Sequence, residues 1–168
     1  MRELVLGAGN CRVKKIYNAN NQYIDPVYVD IDPDSNPDIL LDLNTNSLPF
    51  PDSSFEEVHM YEVLEHLGTQ GDYKHFFSFF EEIARVLVPE GLFIASVPAS
   101  SSPWVWGDPG HTRAIPPECL VFLDQQEYEN QVGKTPMTDY RGIYKADLKR
   151  VLLQEKEGTF DFVRQNKK

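Results

Sequence analysis

Asp30, Asp42, Glu62, Glu65 and His66 each sit at, or just past, the end of a short apolar run, and that placement is what gives them chemistry. In an open α/β sheet, ligands bind outside the carboxyl ends of the strands, so all of them are pocket candidates. An aspartate at such an end can accept two hydrogen bonds from ribose hydroxyls. Asp30 is placed for that, with Asp32 as its competitor and a turn or N-cap carboxylate as the plain alternative. Asp42 is placed to accept from an exocyclic amine, and is equally at home as a turn former before Leu43-Asn44. His66 reads as a pocket residue or as a satisfied histidine at a helix end, and His59, inside the run, as packed or outward-facing. A second group shares one loop: Trp104, Trp106, Asp108, His111 and Arg113. Here His111 with Asp108 could relay or orient a proton. The tryptophans either wall an acceptor site or fold back over the sheet.

Other chemistries are disfavoured. Histidines 59, 66, 75 and 111 form no H-E-x-x-H, and Cys11 and Cys119 share no C-x-x-C, so no metal site is expected. G-x-x-x-x-G-K-[ST] and G-x-S-x-G are absent, against P-loop and α/β-hydrolase chemistry. Isolated cysteines fit free thiols in a reducing, cytoplasmic setting, with a Cys11–Cys119 disulfide left open.

These residues need a frame. The 168 residues, 41% apolar and 25% charged, fit a single domain over 1–168 with an ordinary core. The net charge of -10 is uneven: residues 1–24 carry +3, residues 25–90 carry -13, and residues 91–168 balance. An acidic middle disfavours bulk binding to a nucleic-acid backbone and favours a cationic ligand, or is simply a solvated face. Arg12, Lys14 and Lys15 leave a local basic patch open. With no apolar run near about 18 residues, and Met1-Arg2-Glu3 leading straight into a strand, neither a membrane span nor a signal peptide is expected.

Residues 3–6 read as a buried strand broken at once by Gly7 and Gly9, a turn that lets a ligand approach the backbone. Residues 11–23 lack an apolar stripe and read as a loop or a ragged short helix. Strands follow at 26–33 and 39–43. The gap between them is too short for an ordinary crossover, so the second of these is a short edge piece or is not parallel. A turn region over 44–55, a strand at 56–61 and a helical turn at 62–67 come next. Asp72 then caps an amphipathic helix bearing Phe76, Phe79, Phe80, Ile83, Val86 and Leu87, stopped by Pro89-Glu90-Gly91 before a strand at 92–97. After a loop over 98–115, Pro116-Pro117-Glu118 opens a helix. Residues 124–142 have no assignment, and 148–154 with 159–164 form a terminal hairpin.

Taken in order, LVLGAGN (4–10), YVDIDP (28–33), ILLDLN (39–44), LPFPDSSFEEVHMYEVLEHL (48–67), ARVLVPEG (84–91) and LFIASVP (92–98) resemble a class I S-adenosylmethionine-dependent methyltransferase of the small, UbiE-like type 11 group. WGDPGHTRAIPPECL (106–120) is similar to a loop of the same proteins. The resemblance implies an α/β, Rossmann-like three-layer sandwich. Its sheet is mostly parallel with an antiparallel C-terminal hairpin, here with shortened helices between strands 1 and 2 and strands 2 and 3. It implies S-adenosylmethionine as cofactor and S-adenosylhomocysteine as product. The methionine part would lie on the Leu6-Gly7-Ala8-Gly9 turn, the ribose on Asp30, and the adenine beside Ile31, Asp42 and Leu43. Tyr61, Glu62 and His66 would stand near the methyl-transfer side. His111 is the first choice for a general base and His66 the second, toward a small-molecule acceptor. Because the helix after the glycine turn is poorly encoded and the chain is trimmed, a homodimer could cover the cofactor. Two alternatives stay open: a non-catalytic protein that kept the scaffold, and an NAD-linked oxidoreductase, which lacks the third glycine and a Y-x-x-x-K pair.

Overall fold

A computed structural model of the chain describes residues 1–16, 21–45 and 47–168. The apolar runs become seven strands: β1 (Glu3–Leu6), β2 (Pro26–Asp30), β3 (Ile39–Leu40), β4 (Phe55–Tyr61), β5 (Leu87–Pro98), β6 (Leu148–Lys156) and β7 (Thr159–Asn166). They form one sheet in the order β3-β2-β1-β4-β5-β7-β6. Strands β1 to β5 run parallel, while β7 is antiparallel to both β5 and β6, as the resemblance implies. The order reverses at β1, which has β2 on one side and β4 on the other. A crevice at the carboxyl ends of β1 and β4 is therefore the natural ligand position.

The short gap before β3 resolves as an edge piece. Val29 pairs with Ile39 and Asp30 with Leu40 in parallel. The chain makes the reversal through a 3-10 turn at Pro33–Ser35, whose cap is Asp32, accepting the Asp34 N–H at 2.9 Å. Helix α1 (Tyr73–Val86) starts as expected, with Asp72 accepting the His75 N–H at 3.0 Å. Its six buried residues, Phe76, Phe77, Phe79, Phe80, Ile83 and Val86, recur at helical spacing and join the main core. Where Pro89-Glu90-Gly91 was expected to stop the helix, the helix already ends at Val86 and β5 begins at Leu87. Proline without an N–H and Glu90 at φ 65° instead make a break in strand register, between the Phe55–Leu87 and Glu57–Leu92 pairs.

The loop over 98–115 contains a single helical turn, α2 (Trp104–Gly107). Beyond it the expected helix is a 3-10 segment at Pro117–Leu123, followed by α3 (Gln125–Gln131) in the stretch that had no assignment. The terminal hairpin turns at Glu157 (φ 51°) and Gly158 (φ 80°), the two positive angles that a tight type I′ turn requires.

The two faces of the sheet are built differently. Helix α1 and the 117–123 segment pack with Leu4, Leu6, Met60, Phe93 and Phe162 into the main core. On the other face Ile94 and Val163 are covered by Ile16, with Tyr61, Leu92 and Leu152 beside them. Among the described residues no helix joins β1 to β2; residues 17–20, part of the segment read as a loop or ragged helix, lie outside them, as does Asn46 of the 44–55 turn region. A polar staple does the helix's work. Lys14, 5% exposed, reaches Glu3 at 2.6 Å and Glu57 at 2.8 Å, carboxylates that β1 and β4 present side by side. His59 continues the chain of bonds, 2.9 Å from Glu57 Oε2 and 2.8 Å from the Tyr61 hydroxyl.

Candidate functional site

Two cavities open at the carboxyl ends of β1 and β4, and the wall between them is His66. The first, of about 370 Å³, is built on the glycine turn. Gly7 (φ 65°) and Gly9 (φ 50°) both need the left-handed region. A Cβ on Gly7 would also overlap the Val63 side chain, whereas one on Gly9 would meet nothing, because Gly9 faces the open cleft. Asp30, only 8% exposed, clamps the turn: Gly9 N–H donates to its Oδ2 at 2.7 Å and Asp32 N–H to its Oδ1 at 2.9 Å. With Asp32 used as a cap, Asp30 is the aspartate left at the cleft.

Ile31, Asp42, Leu43 and His66 also line this cavity. Ile31 is 64% exposed while Leu43 is buried, so one apolar side chain stands free and one is anchored in the wall. Asp42 commits Oδ1 to the Asn44 N–H at 2.9 Å, an Asx turn that aims its carboxylate at the opening. Leu41, Asn44, Val63 and Leu67 complete the lining and were not foreseen. Their flanking of Asp42 and His66 in sequence was the available signal.

Four expected residues stand elsewhere. Leu6 and Ala8 are buried, and neither lines either of these two cavities. Tyr61 belongs to the other face of the sheet, packed with Ile16 and bonded to His59, because its place in β4 has the parity of His59 rather than of Met60. Glu62 lines the second cavity rather than the first. Its φ of 57°, strained for a non-glycine residue, turns the chain out of β4 beside the site.

The second cavity, of about 350 Å³, is polar and acidic, with Glu62, Glu65, Asp108 and Glu157 facing His66 and His111. Glu157, Gly158 and Thr159 come from the hairpin turn. They arrive because β7 runs antiparallel to β5, pairing Thr159 with Pro98. The two histidines are held alike. His66 Nδ1 lies 3.0 Å from the Gly110 carbonyl and His111 Nδ1 lies 3.1 Å from that of Val105. A carbonyl only accepts, so each Nδ1 carries the proton and, in the neutral ring, each Nε2 keeps the lone pair. The rings meet edge to face at 4.7 Å. His111 Nε2 is 3.9 Å from both Glu65 Oε1 and Asp108 Oδ2.

Glu65 is 2% exposed, and neither carboxylate oxygen accepts a hydrogen bond among the described residues. Burial first, with the nearby charges of Glu62 and Asp108, pushes its pKa up to about 8. Trp104, 65% exposed, stands at the rim of this cavity. Trp106, 62% exposed, lines neither cavity, and neither ring folds back over the sheet. Arg113 is structural, donating to the Thr69 carbonyl at 3.0 Å and lying over Phe76. A further cavity, of about 230 Å³ between α1 and the 117–123 segment, has Tyr73, Phe76, Phe77, Phe122 and Tyr140 in its lining and does not adjoin the glycine turn.

Comparison with known proteins gives a family and a fold. The family model described as "Methyltransferase domain" matches residues 4–95. No curated protein matches in sequence. Among solved structures, a SAM-dependent methyltransferase from Archaeoglobus fulgidus superposes with a TM-score of 0.61 at 15% identity, covering 98% of this chain and 85% of that one. The 1,6-didemethyltoxoflavin-N1-methyltransferase of Burkholderia thailandensis, with bound 1,6-didemethyltoxoflavin and S-adenosylhomocysteine, gives 0.59 at 15% identity over 99% and 71%. N-methyltransferase NodS from Bradyrhizobium japonicum, in complex with S-adenosylhomocysteine, gives 0.56 at 13% over 99% and 78%. At such identities the likeness is one of fold.

Proposed function

The chain belongs to the methyltransferase domain family, type 11 group, and on that premise we propose that it moves a methyl group from S-adenosylmethionine to a small-molecule acceptor. One observation carries this reading: two cavities, one built on a glycine turn and two aspartates and the other acidic and polar, share the His66 wall. The residues fit the cofactor. Gly9 leaves the backbone bare toward the cleft, Asp30 offers a buried carboxylate, and Ile31 offers an uncovered apolar side chain. Its sulfonium supplies an activated methyl group. The Gly7-Ala8-Gly9 backbone would hold the methionine part, Asp30 the ribose hydroxyls, and Asp42 with Ile31 and Leu43 the adenine.

What the chain itself contributes is alignment and exclusion of water, since the transfer is in-line. Glu62, Asp108 and Glu157 give the acceptor cavity a negative character that favours an amine or other cationic acceptor over an anionic one. It also disfavours nucleic acid. His111 Nε2, its lone pair fixed by the Val105 carbonyl, is the first candidate for removing a proton from the acceptor, and His66 Nε2 the second. Calorimetric titration should give saturable one-site binding of both S-adenosylmethionine and S-adenosylhomocysteine; no binding of either ends the proposal. With an acceptor found by S-adenosylhomocysteine release, His111→Ala at saturating substrate should lower kcat by about 100-fold or more. An unchanged kcat removes it as the base.

The open side of the cofactor cleft, where Ile31 is exposed, is suited to cover by a second copy of the chain. Light scattering should then report a dimer when S-adenosylhomocysteine is present, and a monomer at all concentrations would exclude it. No helix among the described residues is long and apolar enough to cross a membrane. Free Cys11 and Cys119 suit the reducing, cytoplasmic setting that belongs to the same proposal.

A further inference from the structure

Neither carboxylate oxygen of the buried Glu65 has a hydrogen-bond partner among the described residues. A carboxylate buried without a hydrogen bond is costly, and native proteins keep one where something else meets it. We propose that Glu65, His66 and His111 bind a divalent transition-metal ion. One ligand atom from each of the three lies within 4.8 Å of the others. Ligands sharing an ion tetrahedrally at bond lengths of about 2.1 Å stand about 3.4 Å apart. His111 Nε2 and Glu65 Oε1, at 3.9 Å, need to close by only a fraction of an ångström. Both imidazoles donate Nδ1–H to a backbone carbonyl, the arrangement that orients a metal-binding histidine and points its Nε2 lone pair at the ion. Asp108 Oδ2, also 3.9 Å from His111 Nε2, is within reach as a further ligand, with the cavity open beyond it.

The other side of the sheet supplies an internal control. Glu3, Glu57 and His59 form a second cluster within the same 4.8 Å, with two carboxylates and one imidazole in place of one carboxylate and two imidazoles. There a cation is already built in, the Lys14 ammonium at 2.6 and 2.8 Å. At Glu65 no lysine or arginine side chain comes within ion-pair distance among the described residues, and the groups that face it are the imidazole of His111 and an open cavity, which leaves room for a cation from solution. Two imidazoles and one carboxylate select Mn²⁺, Co²⁺ or Zn²⁺ over Ca²⁺, which prefers oxygen alone. Whether the ion then holds an oxygen of the acceptor as a Lewis acid rests on the methyl-transfer reading; the binding of the ion does not. A bound ion also takes the His111 lone pair, so His111 cannot be ligand and base at once.

The test uses the full chain, freed of metal by a chelator and dialysed, with Co²⁺ as the spectroscopic probe and Mn²⁺ and Zn²⁺ by calorimetry. Expected are one equivalent bound, visible Co²⁺ bands that saturate at that ratio, and a rise of several degrees in Tm. Glu65→Gln and His111→Ala should each weaken binding by about 10-fold or more. Glu65→Gln should melt within a few degrees of the parent without metal, because the amide keeps the size of the side chain and is neutral like the protonated acid, so thermal melting separates its loss of binding from unfolding. No stoichiometric binding by the parent chain, or equal binding by both variants, overturns the site. S-adenosylhomocysteine titrated into the same metal-free sample reads the cofactor proposal separately.

Discussion

Lys14→Met is expected to destabilise the protein by about 3–5 kcal/mol, the usual cost of removing one partner from a buried ion pair. Met keeps most of the length and apolar stem, so the loss isolates the charge. It would leave Glu3, fully buried in β1, and Glu57 in β4 facing each other with no cation between them. It would also release residues 10–16, which cover Ile94 and Val163 through Ile16. The pH dependence gives a second, independent readout. Burial alone would raise the Glu57 pKa, but the hydrogen bonds from His59 and Lys14 and the charge of Lys14 outweigh it and hold it down at about 2. A depressed carboxylate stabilises fully above its unfolded value of 4.5 and loses that contribution as pH falls toward 2. Lys14 has the opposite sign. Burial would lower its pKa, its bonds to Glu3 and Glu57 raise it above 10.5, and its contribution fades as pH climbs past that value. Urea unfolding at neutral pH and again between pH 4.5 and 2 should show a variant that is weaker and has a flatter acid limb. A loss under about 1 kcal/mol, or an unchanged acid limb, would show that the staple does not bear on stability. Should the variant fail to fold, adding Glu3→Gln and Glu57→Gln removes the stranded charges and should recover part of the loss.

Asp30→Ala is expected to weaken S-adenosylmethionine binding by about 100- to 10,000-fold, because it removes two hydrogen bonds to a charged acceptor at about 1.5–3 kcal/mol each. The same change strands the N–H groups of Gly9 and Asp32, which donate to Asp30 at 2.7 and 2.9 Å, so the turn itself should loosen. Thermal melting of the free protein separates the two effects. Asp42→Ala is the comparison: its carboxylate is more exposed and holds only a local Asx turn, so binding should fall by about 10-fold with little change in Tm. If Asp30→Ala keeps its affinity within about three-fold, the ribose does not lie on Asp30.

Much of the cleft at the glycine turn was legible along the chain because each part is local. A glycine pair after a buried strand, an aspartate at the end of the next and an Asx turn after the third are decided within a few residues. Strand ends, moreover, point to one edge of a parallel sheet. Asp32 could be separated from Asp30 only once the 3-10 turn existed for it to cap. Tyr61 shows the opposite limit. One residue of parity in β4 carries its side chain to the far face, where Ile16 and His59 take it, and nothing adjacent in sequence announces that. The segment after Gly9 reads as weak because helix periodicity is what a sequence displays, while its anchoring comes from Glu3 and Glu57, far away along the chain.

By itself, then, the order of residues determined the strands, the glycine turn and the aspartates at their ends, since these follow from periodicity and backbone freedom acting over a few positions. Only the tertiary structure decided which charges meet. It set Lys14 between two strands, left Glu65 without a hydrogen-bond partner among the described residues beside two histidines, and made His66 the wall common to two cavities. The reason is physical: backbone conformation is settled by near neighbours, whereas the cost of a buried charge is settled by whatever the folded chain brings within a few ångströms of it.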